Sequence, residues 1–261
     1  MNDKSLRTLE YNKIINMLTE LAASSRGKEL CENLLPHSEL SVIMRLQKET
    51  SDAQSRLLRK GNISFSGIHD IRPSLMRLKV GSALNAIELL RISSILDTTL
   101  RIKAYGGYTG KDDEEVSADS LTEHFAGLEP LTPFNNEIKR CIISEEEIAD
   151  DASPALKNIR RLIRNINDKI HTELSSILTS SRNMLQEHII TMRNGRYCLP
   201  VKAEFKNQFQ GMIHDQSSSG STLFIEPIAI VRLNNELREL AIQEQAEIEK
   251  ILAALSETAA Q

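Results

Sequence analysis

Two helix-length apolar seams with an Asn-Gly dipeptide between them constrain this chain more than any other feature. In the first, Leu156, Ile159, Ile163, Ile166, Ile170, Leu174 and Ile177 recur at steps of three and four residues, close to a heptad pattern. Pro154, directly after Ser153, suits the first turn of a helix because its missing N–H would have no partner there. A helix from 154 to about 185 is roughly 45 Å long at 1.5 Å per residue, too long to be enclosed on all sides. It needs a partner. Ile230, Leu233, Leu237, Leu240, Ile248, Ile251 and Leu255 supply one, on a returning helix over about 228–261 that the sequence does not stop with Gly or Pro.

Between the seams the period changes from helical to alternating. Asn194-Gly195 sits between such flanks, and both residues tolerate the positive φ that a two-residue hairpin turn demands. Strands are expected over 188–193, 196–202, 209–215 and 222–226, forming a β insert over about 186–227. Pro200 places its strand at a sheet edge, because proline cannot donate to a ladder. Pro227 is expected to open the returning helix. The expected picture is an antiparallel two-helix lever carrying a small antiparallel β clamp at its tip.

The first half reads as a helical subdomain, 1–151. Leu6, Leu9, Ile14, Ile15, Leu18 and Leu21 predict a helix ending near Gly27. Further helices are expected over 41–59, after Pro36, and over 83–104. Acidic runs at 111–115 and 145–151 read as solvated connections. With no Trp, few aromatics and abundant Leu, Ile, Glu, Lys and Arg, the composition agrees with a mainly α fold.

Catalytic patterns are missing from these residues. Gly106-Gly107-Tyr108-Thr109-Gly110-Lys111 lacks the first glycine of a phosphate loop, and Asp112 follows the lysine where a hydroxyl is needed. Ser217, Ser218, Ser219 and Ser221 lie near His214 and Asp215. Those two are adjacent on a strand, so they point to opposite faces and do not form a base-and-orienter pair for a serine. The six His have no helical metal spacing, and Cys31, Cys141 and Cys198 have neither zinc nor disulfide spacing. No catalytic residue, cofactor or metal is expected in this stretch. Without a leader or an apolar span, a cytoplasmic location is expected.

Electrostatics give the remaining signal. The formal net charge is -4. Over residues 182–212, Arg182, Arg193, Arg196, Lys202 and Lys206 face only Glu187 and Glu204, so the insert is locally basic. Arg193, Asn194, Arg196, Lys202, Lys206 and Asn207 are the candidate nucleic-acid-binding residues, since such side chains contact phosphates without reading sequence. Arg193 and Arg196 are expected to be exposed. Lys157, Arg160, Arg161, Arg164 and Lys169 add a basic face on the first long helix. The rival expectation is a structural coiled-coil tether whose β tip docks a protein edge to edge.

Leu199-Pro200-Val201-Lys202, the run from Gly211-Met212-Ile213-His214 through Ser217-Ser218-Ser219-Gly220-Ser221 to Ile225-Glu226-Pro227, and Leu233-Asn234-Asn235-Glu236-Leu237 closely resemble bacterial MutS homologues of the second subfamily. Leu9-Glu10-Tyr11 and Gly27 resemble that family's opening, and the likeness extends in order over nearly the whole chain. The resemblance implies a core-and-lever region with a clamp and no ATPase or nuclease activity in this stretch. An ATPase domain using ATP and Mg²⁺, and usually a small nuclease domain, are expected beyond residue 261. It implies a homodimer acting on duplex or branched DNA in the suppression of homologous recombination, or on stalled ribosomes and their rRNA. Pro154 and Pro227 are candidate hinges of the lever.

Overall fold

The computed structural model describes residues 3–107 and 119–261. The acidic run at 111–115, and all of the glycine-rich stretch before it except Gly106 and Gly107, lie outside the described residues. The chain divides into two compact units, residues 1–149 with 252–261, and residues 150–251.

In the first unit α1 (Asp3–Thr8), α2 (Tyr11–Leu21), α3 (Ser25–Glu32), α4 (Leu40–Lys60), α5 (Arg72–Lys79), α6 (Ala86–Gly106), α7 (Thr122–Ala126) and α8 (Thr132–Cys141) follow in order. The single opening helix expected to end near Gly27 is three helices. Glu10 adopts a left-handed conformation with φ 53° that separates α1 from α2. Ser24 then caps α3 by accepting from the Gly27 N–H at 3.0 Å, which puts Gly27 in the first turn of α3 rather than at a terminus.

Both expected later helices form. Gly61, with φ 75°, ends α4, and Asn85 with Glu88 makes a complete capping box at the start of α6. The core lies on α6 and α8, where Leu89, Ile92, Leu96, Ile138 and Cys141 are buried. Asn135 accepts from the Ser93 hydroxyl at 2.6 Å and donates to Asp97 at 2.7 Å, so its buried amide is satisfied. The short helices α5 and α8 escaped the periodicity reading. Pro73 and Pro133, each in a first turn, are the signals that mark them.

The second unit holds α9 (Pro154–Ser180), β1 (Thr191–Arg193), β2 (Arg196–Lys202), β3 (Gly211–Gln216), β4 (Thr222–Pro227) and most of α10 (Ile228–Ala260). Ser153 caps α9 by accepting from Leu156 N at 3.0 Å, with Pro154 in the first turn. The helix ends at Ser180 instead of about 185, and residues 182–184 tighten into a 3-10 turn. α9 and α10 run antiparallel. Ser153 bonds Glu247 at 2.8 Å and Arg160 bonds Glu244 at 2.7 Å, and further along α9 Asn167 meets Tyr197, whose backbone meets Asn234.

The sheet is antiparallel throughout, in the order β1-β2-β4-β3. Its buried Leu199, Val201, Leu223 and Ile225 share one core with Ile166, Ile170 and Leu174 of α9 and Ile230 and Leu240 of α10. The sheet therefore lies along the helices rather than beyond their ends, and it covers the apolar seam jointly with the partner helix.

Both prolines differ from expectation. Pro200 sits in an internal strand, opposite Phe224, but β1 has already ended there and the Gln186 N–H bonds the Pro200 carbonyl at 2.9 Å, so the missing N–H costs no ladder bond. Pro227 closes β4, opposite Gly211, and α10 starts one residue later.

Candidate nucleic-acid interface

The hairpin forms as its dipeptide demands. Asn194 and Gly195 have φ of 52° and 73°, both in the left-handed region, and Arg193 pairs with Arg196 across the turn. The same tight turn separates the environments of the two arginines.

Arg193 stacks on Phe224, its guanidinium carbon 3.9 Å from the ring centroid, and its Nε lies 3.2 Å from Asp215. About 37% of its side chain stays exposed. Arg196 turns inward, with 18% exposed, to donate to Glu226 at 2.8 Å and to Asn235 at 2.5 Å. The expectation that both arginines are exposed is wrong for Arg196. A fully enclosed carboxylate, unrecognised in the sequence, draws it in. Asn194 is exposed and donates to the His214 carbonyl at 3.2 Å.

Glu226 has no exposed side-chain surface. Its second oxygen lies 2.5 Å from His214 Nε2, and Asn234 donates to its first at 2.8 Å. His214 reaches it at an irregularity in the β3–β4 pairing between Ile213 and Asp215. His214 is thereby committed to Glu226, away from the serine turn at 217–221. Burial, with Glu226 nearby, pushes the Cys198 thiol up to about 11.

The remaining candidates lie at the other end of β2. Lys202 donates to the Asn183 carbonyl at 3.1 Å, and Ala203 N donates to the Ser221 carbonyl at 3.0 Å. Those two bonds gather residues 182–184, the 203–208 connection and the serine turn. Lys206 and Asn207 are exposed in that connection, and Arg182 is exposed beside Asn183. β2 is seven residues long, which separates this cluster from the Asn-Gly turn by roughly 20 Å. The six candidate residues are thus two groups, Arg193, Asn194 and Arg196 at one end and Lys202, Lys206 and Asn207 at the other. The second group marks the distal end, because it lies past the C-terminus of α9, whereas the Asn-Gly end stands level with Asn167.

The basic face expected on α9 is largely compensated. Lys157 pairs with Asp151 at 2.7 Å, Arg160 with Asp150 and Glu244 at 2.6 and 2.7 Å, and Arg164 with Asp150 at 3.3 Å. Glu145, Glu146 and Glu147 are exposed, as a solvated connection requires, while Asp150 and Asp151, which close the run, serve as ion-pair partners. Among the described residues no group of three or more His, Cys, Asp or Glu is placed to hold a metal ion, and no helix is long and apolar enough to cross a membrane.

No family model matches the chain. It is 64% identical over 261 residues to the endonuclease MutS2 of Lachnoclostridium phytofermentans, covering 98% of this chain and 33% of that protein. It is 56% identical over 262 residues to the endonuclease MutS2 of Agathobacter rectalis, with 100% and 33% covered, and 47% identical over 259 residues to that of Acetivibrio thermocellus, with 98% and 32% covered. The chain spans about a third of the length of the curated relatives it matches. That identity, held along essentially every residue of a helical region with an antiparallel sheet between two long helices, means that the chain belongs to the MutS2 family.

Proposed function

We propose that this chain is the lever and nucleic-acid-clamping segment of a MutS-like ATPase that acts on duplex or branched DNA, in suppression of homologous recombination, or on the rRNA of stalled ribosomes. The observation that carries the reading is the distal cluster. Arg182, Lys202 and Lys206, with Asn183, Asn207 and the serine hydroxyls of 217–221, gather at the end of the long helices, with Glu187, Glu204 and Asp215 as the acidic residues near them in sequence. Cations, amides and hydroxyls of this kind bind a phosphate backbone without reading bases. The MutS2 relatives, named endonucleases, support a nucleic acid as the ligand.

Chemistry is assigned elsewhere in the protein, where ATP and Mg²⁺ would be bound, and the working form is a cytoplasmic homodimer. This segment turns a small rotation at the base of α9 and α10 into a large displacement at the distal end. Pro154, in the first turn of α9, is the candidate pivot. Pro227 is buried at the junction of β4 and α10 and acts as a fixed joint.

Lys202→Ala with Lys206→Ala tests the reading by fluorescence anisotropy on duplex DNA and on an rRNA helix across a salt series. Each phosphate contact contributes about -0.9 to the slope of log affinity against log salt on DNA, so the double variant should reduce its magnitude by about 2. An unchanged slope and affinity at low and physiological salt would sink it. Preference for one polyanion over the other identifies the target. A second reading, a protein-docking module, is favoured by Met212 and Ile213 on edge strand β3, which are 54% and 43% exposed. Loss of a protein partner in Ile213→Lys, with nucleic-acid binding intact, would select it.

A further inference from the structure

Polyanion binding at the distal cluster leaves the carboxylate in the sheet core unused. A buried ionised group is unfavourable unless hydrogen bonds and opposite charge surround it, and an apolar residue of similar volume would serve the core as well. Glu226 is surrounded, by Arg196, His214 and Asn234. What sets it apart is where those partners lead.

Arg196 continues to Asn235 on α10 at 2.5 Å. Asn234, also on α10, accepts from Tyr197 N at 3.2 Å and donates to the Tyr197 carbonyl at 3.3 Å. The Tyr197 hydroxyl donates to Asn167 on α9 at 2.9 Å, and its ring meets the His171 ring edge-on at 5.3 Å between centroids. Arg196 and Tyr197, the first two residues of β2, are therefore both held to α10, by Asn235 and Asn234, and Tyr197 also to α9 by Asn167; Glu226 bonds Arg196 and Asn234 directly and reaches α9 through Tyr197. His214 adds β3, and Glu226 itself lies on β4. Among the described residues every buried side-chain nitrogen and oxygen has a partner, so the network is complete.

We propose that Glu226 is the positioning residue of the clamp, the node through which movement of α9 and α10 reaches the sheet. This rests on the reading of the sheet as a nucleic-acid clamp. Apolar contacts alone would let the sheet slide along the seam. Directional bonds from this charged node to α10, and from the adjoining Tyr197 to α9, fix the sheet on both helices, so displacement at the helices is delivered to β2 and along it to Lys202. Arg196 serves this node and is not a phosphate ligand.

Amide hydrogen exchange on the 261-residue chain, together with duplex-DNA anisotropy, tests the inference with Glu226→Gln. The amide keeps the shape of the side chain and removes its charge. Exchange should become at least tenfold faster in three places together: the start of β2, α10 around Asn234 and α9 around Asn167. Affinity for DNA should fall severalfold at an unchanged salt slope, since the node touches no phosphate. Arg196→Lys should give the same pattern, and adding it to Glu226→Gln should change little further. Faster exchange confined to β2, no change in exchange, or a reduced salt slope would overturn the proposal. If circular dichroism shows that Glu226→Gln does not fold, Arg196→Lys carries the same outcomes. A wild-type chain that binds neither polyanion overturns the clamp reading alone, and exchange still decides the coupling.

Discussion

Arg196 donates to Glu226 at 2.8 Å inside the second unit, three residues from Arg193, which lies half-exposed on Phe224. Two cations that flank one turn thus have different physical roles. Arg196→Ala should cost about 3 kcal/mol in urea unfolding, because it leaves a buried carboxylate with only His214 and Asn234. Arg193→Ala, which removes a partly exposed ion pair and a ring contact, should cost about 1 kcal/mol or less. Equal losses would show that burial does not separate the pair.

Ile166 is 3% exposed, in the core shared by α9 and the sheet. Ile166→Asp places an unpaired charge there and should cost on the order of 3 kcal/mol or more. Ile166→Val should cost about 1 kcal/mol. Comparing the two denaturant midpoints checks the assignment, and an unchanged midpoint in the aspartate variant would remove Ile166 from the seam.

Gly106 reverses an ordinary rule. Replacing a helical glycine by alanine usually stabilises by about 1 kcal/mol. A Cβ here would stand 2.1 Å from Phe125 Cβ and Cγ, so α6 and α7 would have to part. Gly106→Ala should be destabilised by about 1–3 kcal/mol, the usual range for overpacking. Gly106→Ala with Phe125→Ala should relieve the clash and recover part of that loss, read from thermal unfolding.

Acid should weaken the first unit through Asp119. The Arg56 guanidinium, bonded at 2.5 and 2.6 Å, holds its carboxyl down to about 2, against burial and with help from Thr122. A carboxyl depressed in the folded state contributes stability above its unfolded value, about 4. That contribution is lost as pH falls from about 4 to about 2. Asp119→Asn should be less stable than wild type at pH 7, with the difference narrowing across that window. A difference that persists unchanged at pH 2 would assign it to packing.

Elements whose cause is local are legible in the residues that form them. Proline and Ser153 start α9, and positive φ at Asn194 and Gly195 makes the hairpin. The three-and-four spacing of isoleucine and leucine gives the two long helices. Such signals depend on neighbours within about a turn, and they are legible for that reason. Breaks such as the left-handed Glu10 were not, because a glutamate carries no strong preference for that conformation.

What the charged side chains do is set by packing between distant segments. Glu226 reads in sequence as a polar residue before a proline, yet folding encloses it and draws Arg196, 30 residues away, out of solvent. The length of β2 puts Lys202 and Lys206 roughly 20 Å from the Asn-Gly turn, and the turn before α9 sets Asp150 against Arg160 and Arg164. The fate of a charge depends on burial and on partners brought from distant positions, and neither is encoded in the spacing around it.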